Sequence, residues 1–232
     1  MNKKGFTLAE VLITFGIIGV VAAITMPMLI THYQKQATVN QLKKAYSEFS
    51  QAVKMAEIDH GLMETWDFKV FNTALERNTY FGKNYLLPYL KVVETCIPSS
   101  SKCWADEIRN VSGNIVTSGI VNSVNTRVSF ITASGYSGFY WLNAAGEGMW
   151  YWVDLNGPKK GPNRLGRDIF AFVAHWREVK PKILPAGTNL IREDLKKNCI
   201  DKGENYYSYA DGSYCAGFIM LDSWKIAPDY PW

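Results

Sequence analysis

The chain has 232 residues, 25 basic against 21 acidic side chains and a formal charge of +4. Setting aside Lys3 and Lys4 brings it close to neutral, a balance that gives no sign of nucleic-acid binding. Eight Trp and thirteen Tyr suggest strands around a well-filled core, and the roughly 200 residues beyond the apolar start suffice for one domain.

The amino end reads Lys3-Lys4-Gly5, then Phe6-Thr7-Leu8-Ala9-Glu10, then Val11 to Ile30 without a charge. A run of about 20 apolar residues is long enough to cross a bilayer as a helix. Lysines ahead of a first membrane helix hold that end in the cytoplasm, so the chain after Ile30 is expected outside. Glu10 breaks the apolar run, where an ionised carboxylate costs roughly 2.5 to 3.5 kcal/mol at the helix centre and needs a partner. A secretory signal peptide fits poorly: its apolar core is about 7 to 15 residues, and Ala22-Ala23 is a poor cleavage site. A plain uncleaved anchor leaves Glu10 without a reason.

The stretch Lys3-Lys4-Gly5 followed by Phe6-Thr7-Leu8-Ala9-Glu10-Val11-Leu12 resembles the amino terminus of type IV pilin-like proteins, the family that includes pilins and type II secretion pseudopilins. The resemblance covers about the first 30 residues. It implies a leader, residues 1–5, cut between Gly5 and Phe6 by a membrane-embedded prepilin peptidase, with Phe6 then N-methylated. It also implies that Glu10 serves assembly and that Pro27 is the family's helix-kinking proline. The partner of Glu10 would be the new amine of Phe6, in the same chain or in a neighbouring subunit.

Residues 6–30 are thus expected to form the transmembrane helix and residues 31–61 its amphipathic continuation. Val39, Leu42, Tyr46, Phe49, Val53 and Ala56 recur at steps of three and four, with Lys43, Lys44, Glu48, Gln51, Lys54 and Glu57 between them. That stripe should pack against a sheet, and Gly61 is a good stop. Fully helical, Phe6 to His60 would measure about 80 Å.

Residues 62–232 read as a periplasmic α+β domain. Phe68 to Tyr80 suggests a helix, and Tyr85 to Leu90 a second, shorter one. Cys96 and Cys103 bracket a Pro-Ser loop. Strand patterns follow at Ile115–Val121, Arg127–Thr132, Gly138–Asn143, Gly148–Leu155 and Ile169–Trp176, cut by Gly, Asn and Ser. Arg192–Asn198 suggests a short helix and Ala216–Leu221 a last strand. The expected class is α+β: a long amino-terminal helix packed on an antiparallel sheet, the pilin-like arrangement.

All four cysteines lie beyond the membrane segment, which in an oxidising compartment favours two disulfides. Short loops close most readily, which gives Cys96–Cys103 and Cys199–Cys215. A zinc site fits poorly, because the intervening six and fifteen residues miss the usual spacing of about two to four. His32, His60 and His175 are scattered and read as structural or solvated.

Val153-Asp154-Leu155-Asn156-Gly157 with Gly166-Arg167-Asp168 resembles the loop near the carboxyl end of major pseudopilins, where oxygens hold calcium. Asp154, Asn156 and Asp168 could supply side-chain oxygens to a cation that takes about six to eight of them. An EF-hand is excluded, since the twelfth position from Asp154 is Leu165. The alternative is a plain turn, which Asn-Gly favours. Tyr140-Trp141 and Trp150-Tyr151-Trp152 could stack on sugars, though in adjacent strands such a cluster is ordinarily cross-strand packing. Neither a nucleophile elbow nor a phosphate-binding glycine loop occurs.

The expected role is therefore structural, not enzymatic: a subunit of a type II secretion pseudopilus or type IV pilus-like fibre serving protein secretion. Its partners would be homologous pilin-like subunits, prepilin peptidase and the inner-membrane assembly machinery. It would be single-pass in a bacterial inner membrane, with calcium the one cofactor considered. The alternatives are a minor pilin that grips DNA, sugar or a surface at a fibre tip, and a membrane-anchored enzyme, which would need a cleft of clustered titratable groups.

Overall fold

The computed structural model describes residues 5, 7–116, 124–144, 146–176, 182–200 and 212–232. It divides into two compact units, Met1–Ala37 and Thr38–Trp232.

Helix α1 (Leu8–His60) runs through both sequence ranges, with Pro27 inside it. In the first unit its apolar side chains are exposed, and the helix is long and apolar enough to cross a membrane. The hydroxyls of Thr14, Thr25 and Thr31 donate to the carbonyls of Glu10, Val21 and Pro27 at 2.7, 2.9 and 2.9 Å. Folding each hydroxyl back onto the preceding turn removes a free donor from an otherwise apolar surface.

In the second unit the apolar stripe of α1 is buried as its spacing requires: Val39, Leu42, Phe49, Val53 and Ala56, joined by Ala45 and Ala52. Small residues at those two turns bring the helix close to what it covers. Gly61 ends the helix at φ +83°, a conformation that suits glycine.

The helix expected at Phe68–Tyr80 is shorter and begins later, as α2 (Ala74–Phe81). Thr73 caps it: its hydroxyl accepts from the Glu76 amide while the Glu76 carboxylate accepts from the Thr73 amide. That reciprocal cap sets the start, and leaves Phe68 free to bury itself in the core ahead of it. Helical turns at Gly82–Leu86 and Leu87–Tyr89 follow, close to the second short helix expected. Gly82 allows the close approach of Tyr140, whose hydroxyl would stand 1.8 Å from a Cβ there.

Six strands form one antiparallel meander: β1 (Val92–Cys96), β2 (Val128–Thr132), β3 (Ser137–Leu142), β4 (Gly148–Asp154), β5 (Ile169–His175) and β6 (Lys182–Pro185), in that spatial order. The middle four match the expected runs. The expected strand Ile115–Val121 is not found as one: Ile115 makes an isolated bridge to Arg109, and residues 117–123 lie outside the described residues.

The class is α+β, as expected. Because side chains alternate, the central strands β3, β4 and β5 feed two cores. Phe130, Tyr140, Tyr151 and Phe172 join the α1 stripe in one; Phe49 stacks on Tyr151 with ring centroids 4.2 Å apart, and the Tyr46 hydroxyl donates to the Ile183 carbonyl at 3.0 Å. Phe139, Trp152, Ile169 and Ala171 face the other way and are covered by Trp104, Ala105, Ile108 and Leu165.

Helix α3 (Arg192–Ile200) lies where a short helix was expected. The last strand expected at Ala216–Leu221 is instead helix α4 (Cys215–Leu221). Its continuous apolar run carries no period that separates a buried strand from a buried helix. The Cys199–Cys215 bond joins it to α3, and the Cys96–Cys103 bond closes the loop before Trp104; both pairings are those expected.

Candidate functional site

Two regions carry the residues singled out in the sequence. In the first, Leu8 opens α1 and Thr7 caps it. The Glu10 carboxylate accepts from the Thr7 amide and the Thr7 hydroxyl, both at 2.8 Å, and that hydroxyl accepts from the Glu10 amide at 3.2 Å. This is the reciprocal capping arrangement in which the third helical residue reaches back over the first turn. Glu10 thus has a partner two residues beyond Gly5. Gly5 is exposed, while Phe6 lies outside the described residues. Pro27 lies within α1, and the helix continues past it.

The second region is the loop between β4 and β5. Asp154 ends β4 fully buried, and Asp168 stands just before β5 at 5% exposure. The Asn156 amide donates to Asp154 Oδ1 at 3.2 Å, and its side-chain nitrogen donates to Asp168 Oδ2 at 3.3 Å and to the Gly161 carbonyl at 3.1 Å. Asp168 also accepts from the amides of Asn163 and Arg164 at 2.9 and 2.6 Å. The structure therefore brings Asp154, Asn156 and Asp168 together.

Burial and the charge of Asp168 push Asp154 up to about 7. Burial also raises Asp168, against the hydrogen bonds from Arg164, Asn163 and Asn156. Three buried oxygens here have no hydrogen-bond donor: Asp154 Oδ2, Asn156 Oδ1 and Asn163 Oδ1. Two buried carboxylates and three unsatisfied oxygens are the hard donors that suit calcium. Among the described residues no group of three or more His, Cys, Asp and Glu side chains stands together, so a cation here would depend on amide and main-chain oxygens.

Sequence reasoning missed Asn163. It sits in the left-handed region at φ +48°, which asparagine tolerates, and the Asn-Arg pair within a Gly-Pro-rich loop was the available signal. It also missed what closes the loop. The Tyr230 hydroxyl donates to the Gly166 carbonyl at 2.6 Å, and the Arg167 guanidinium lies 4.5 Å over the Trp232 ring. Arg192 pairs with both Asp222 and Asp229, at 2.7 and 2.9 Å, so the carboxyl-terminal segment is pinned to α3 while it braces the loop.

A family model matches residues 28–232. The chain belongs to DUF6613, a family of unknown function. A separate model, the prokaryotic N-terminal methylation motif, matches residues 1–26. The motif implies processing by a prepilin peptidase and assembly with other pilin-like subunits. With the apolar part of α1 it points to membrane anchoring. Prepilin peptidase-dependent protein D of Escherichia coli (strain K12) is 29% identical over 66 residues, 28% of this chain and 44% of that protein. The chain thus matches less than half the length of that relative. No solved structure matches.

Proposed function

We propose that the chain is the precursor of a structural subunit of a pilin-like fibre, a type II secretion pseudopilus or a type IV pilus-like fibre that serves protein secretion. The observation that carries this reading is the methylation motif at the head of a helix of membrane-spanning length. Prepilin peptidase cuts between Gly5 and Phe6, and Phe6 is N-methylated. The helix holds the subunit in a bacterial inner membrane, amino end in the cytoplasm and carboxyl-terminal domain outside, until the assembly machinery extracts it into the fibre. Glu10 pairs with a Phe6 amine there. The role is mechanical, without catalysis of its own. Calcium in the Asp154, Asn156 and Asp168 loop, with Asn163 as an added oxygen donor, would neutralise two buried carboxylates and stiffen the domain.

Intact-mass analysis of protein extracted from membranes tests the first step. The expected mass lacks residues 1–5 and carries one added methyl group. A full-length mass from cells with active prepilin peptidase would overturn the assignment. Imaging fibres and assaying secretion in cells deleted for the gene tests the second; normal fibres together with normal secretion would remove the structural reading.

A further inference from the structure

Ser137 opens β3, Asp154 closes β4, and the two are directly opposite across that pair of strands. Opposite residues project to the same face of a sheet, with Cβ atoms about 4.5 to 5.5 Å apart. The face is the one that carries Phe139 and Trp152, each two residues along its strand from Ser137 or Asp154. Ser137 and Asp154 are both fully buried. Ser137 Oγ and Asp154 Oδ2 each lack a hydrogen-bond partner among the described residues, so the hydroxyl does not donate to the carboxylate opposite it. An unpaired polar atom in a closed core is unfavourable. Two of them, neighbours that do not satisfy each other, point to a third group between them.

The surroundings say what that group is. The β2–β3 hairpin, which leads into Ser137, touches the loop between β4 and β5: a Cβ at Gly157 would stand 3.3 Å from the Gly135 carbonyl oxygen, and Gly157 has φ +85°. In that loop Asp168 Oδ2 already accepts from the Asn163 amide and the Asn156 side chain, and Oδ1 from the Arg164 amide. Asp154 Oδ1 accepts from the Asn156 amide. The carboxylate oxygen left without a donor among the described residues is Asp154 Oδ2, on the residue opposite Ser137. A bridging water would satisfy both oxygens but add no charge against the Asp154 and Asp168 carboxylates; a cation does both. Calcium holds oxygens at roughly 2.3 to 2.6 Å, so two on one ion stand at most about 5 Å apart, within reach of opposite side chains.

We propose that Ser137 is an oxygen ligand of the cation in this loop, binding it together with Asp154 Oδ2 across β3 and β4. The proposal rests on the calcium reading of the loop and adds a ligand that comes from the sheet, so that the ion ties the loop to two paired strands. Ser129 is the internal comparison. Its hydroxyl is equally buried and also without a partner among the described residues. Its cross-strand neighbours, however, are Cys96 and Phe139, and neither is a carboxylate.

The test titrates calcium chloride by calorimetry into the full chain in dodecyl maltoside micelles, freed of metal by chelation and dialysis, at about pH 8, where Asp154 is ionised. Saturable binding by the wild-type chain is expected. Ser137→Ala should weaken it roughly tenfold or more, while Ser129→Ala leaves it unchanged. In calcium-free buffer Ser137→Ala should melt no lower than wild type, because it removes an unsatisfied hydroxyl. Ser137→Cys keeps the shape and exchanges a hard donor for a soft one, so it should weaken calcium and tighten cadmium; it decides the matter if Ser137→Ala does not fold. Calcium bound equally well by wild type and both Ser137 variants would overturn the proposal and leave the calcium reading standing. An equal loss of affinity in Ser129→Ala and Ser137→Ala would also overturn it, since a defect in the core would then be responsible. A wild-type chain that binds no calcium removes the calcium reading and the proposal together.

Discussion

Asp154 holds its proton more tightly in the folded chain than in the unfolded one, where an aspartate titrates near ~3.9. Burial and Asp168 together raise it to about 7. A carboxyl raised by folding contributes stability that is full below the unfolded pKa and is lost as pH climbs through the folded one. In calcium-free buffer the full chain should therefore lose stability between about pH 4 and about pH 7, by at most about 1.4 kcal/mol per pH unit from this group. Asp154→Asn should flatten that slope. If the loop binds calcium, the added stability should be largest above pH 7, where the carboxylates are ionised and a cation that binds only the folded state gains most. Thermal melts with and without calcium across this window check both statements. A calcium response of equal size at pH 5 and pH 8 would point to a site elsewhere.

Among the elements, α3 and α4 are joined by the Cys199–Cys215 bond across a separation of 16, while Cys96–Cys103 spans only 7. Constraint of the unfolded chain grows slowly with loop length, giving about 3 kcal/mol for the longer loop and about 2 for the shorter. Replacing Cys199 and Cys215 with alanine should therefore cost more than replacing Cys96 and Cys103, read as the drop in urea midpoint at constant slope. The opposite order would show that native packing around Trp104 outweighs chain entropy. The elements also show what the sequence could and could not reveal. The buried stripe of α1 and the strands β2 to β5 were legible because period and β-branched or aromatic composition agreed. Strand β1 was not, because Val92-Val93-Glu94-Thr95-Cys96 is short and follows helical turns around Pro88. Strand β6 ends in Pro185 and takes its register from β5, a long-range relation no local pattern carries. Helix α4 read as a strand because its apolar run is continuous, with Cys215 to Ile219 all buried, and so carries no helical period. The loop residues Asp154, Asn156 and Asp168 were legible from their types. Asn163 was not, because only the folded loop brings its main-chain amide onto Asp168.

At the scale of the whole molecule, Glu10 distinguishes a local cap from a device of assembly. Among the described residues its carboxylate accepts from Thr7, through one amide and one hydroxyl. These are neutral donors, and a carboxylate in an apolar layer calls for a compensating charge. Cleavage after Gly5 would place a positive amine on Phe6, next to the capping residue, so the same carboxylate would face two competing partners. Glu10→Gln separates them. Glutamine can still accept from the Thr7 amide and keep the cap, but it carries no charge. Glu10→Ala loses both. If the pairing with an amine directs assembly, both variants should insert and be cleaved normally, and both should fail to form fibres. A lost charge pair of about 3 kcal/mol corresponds to roughly a hundredfold weaker subunit association. Thr7→Ala, which loses the hydroxyl and leaves the charge, should assemble. Fibre counts by electron microscopy, beside intact mass for cleavage, read all three variants. Normal fibres from Glu10→Gln would show that the cap, and not the charge, is what the position supplies.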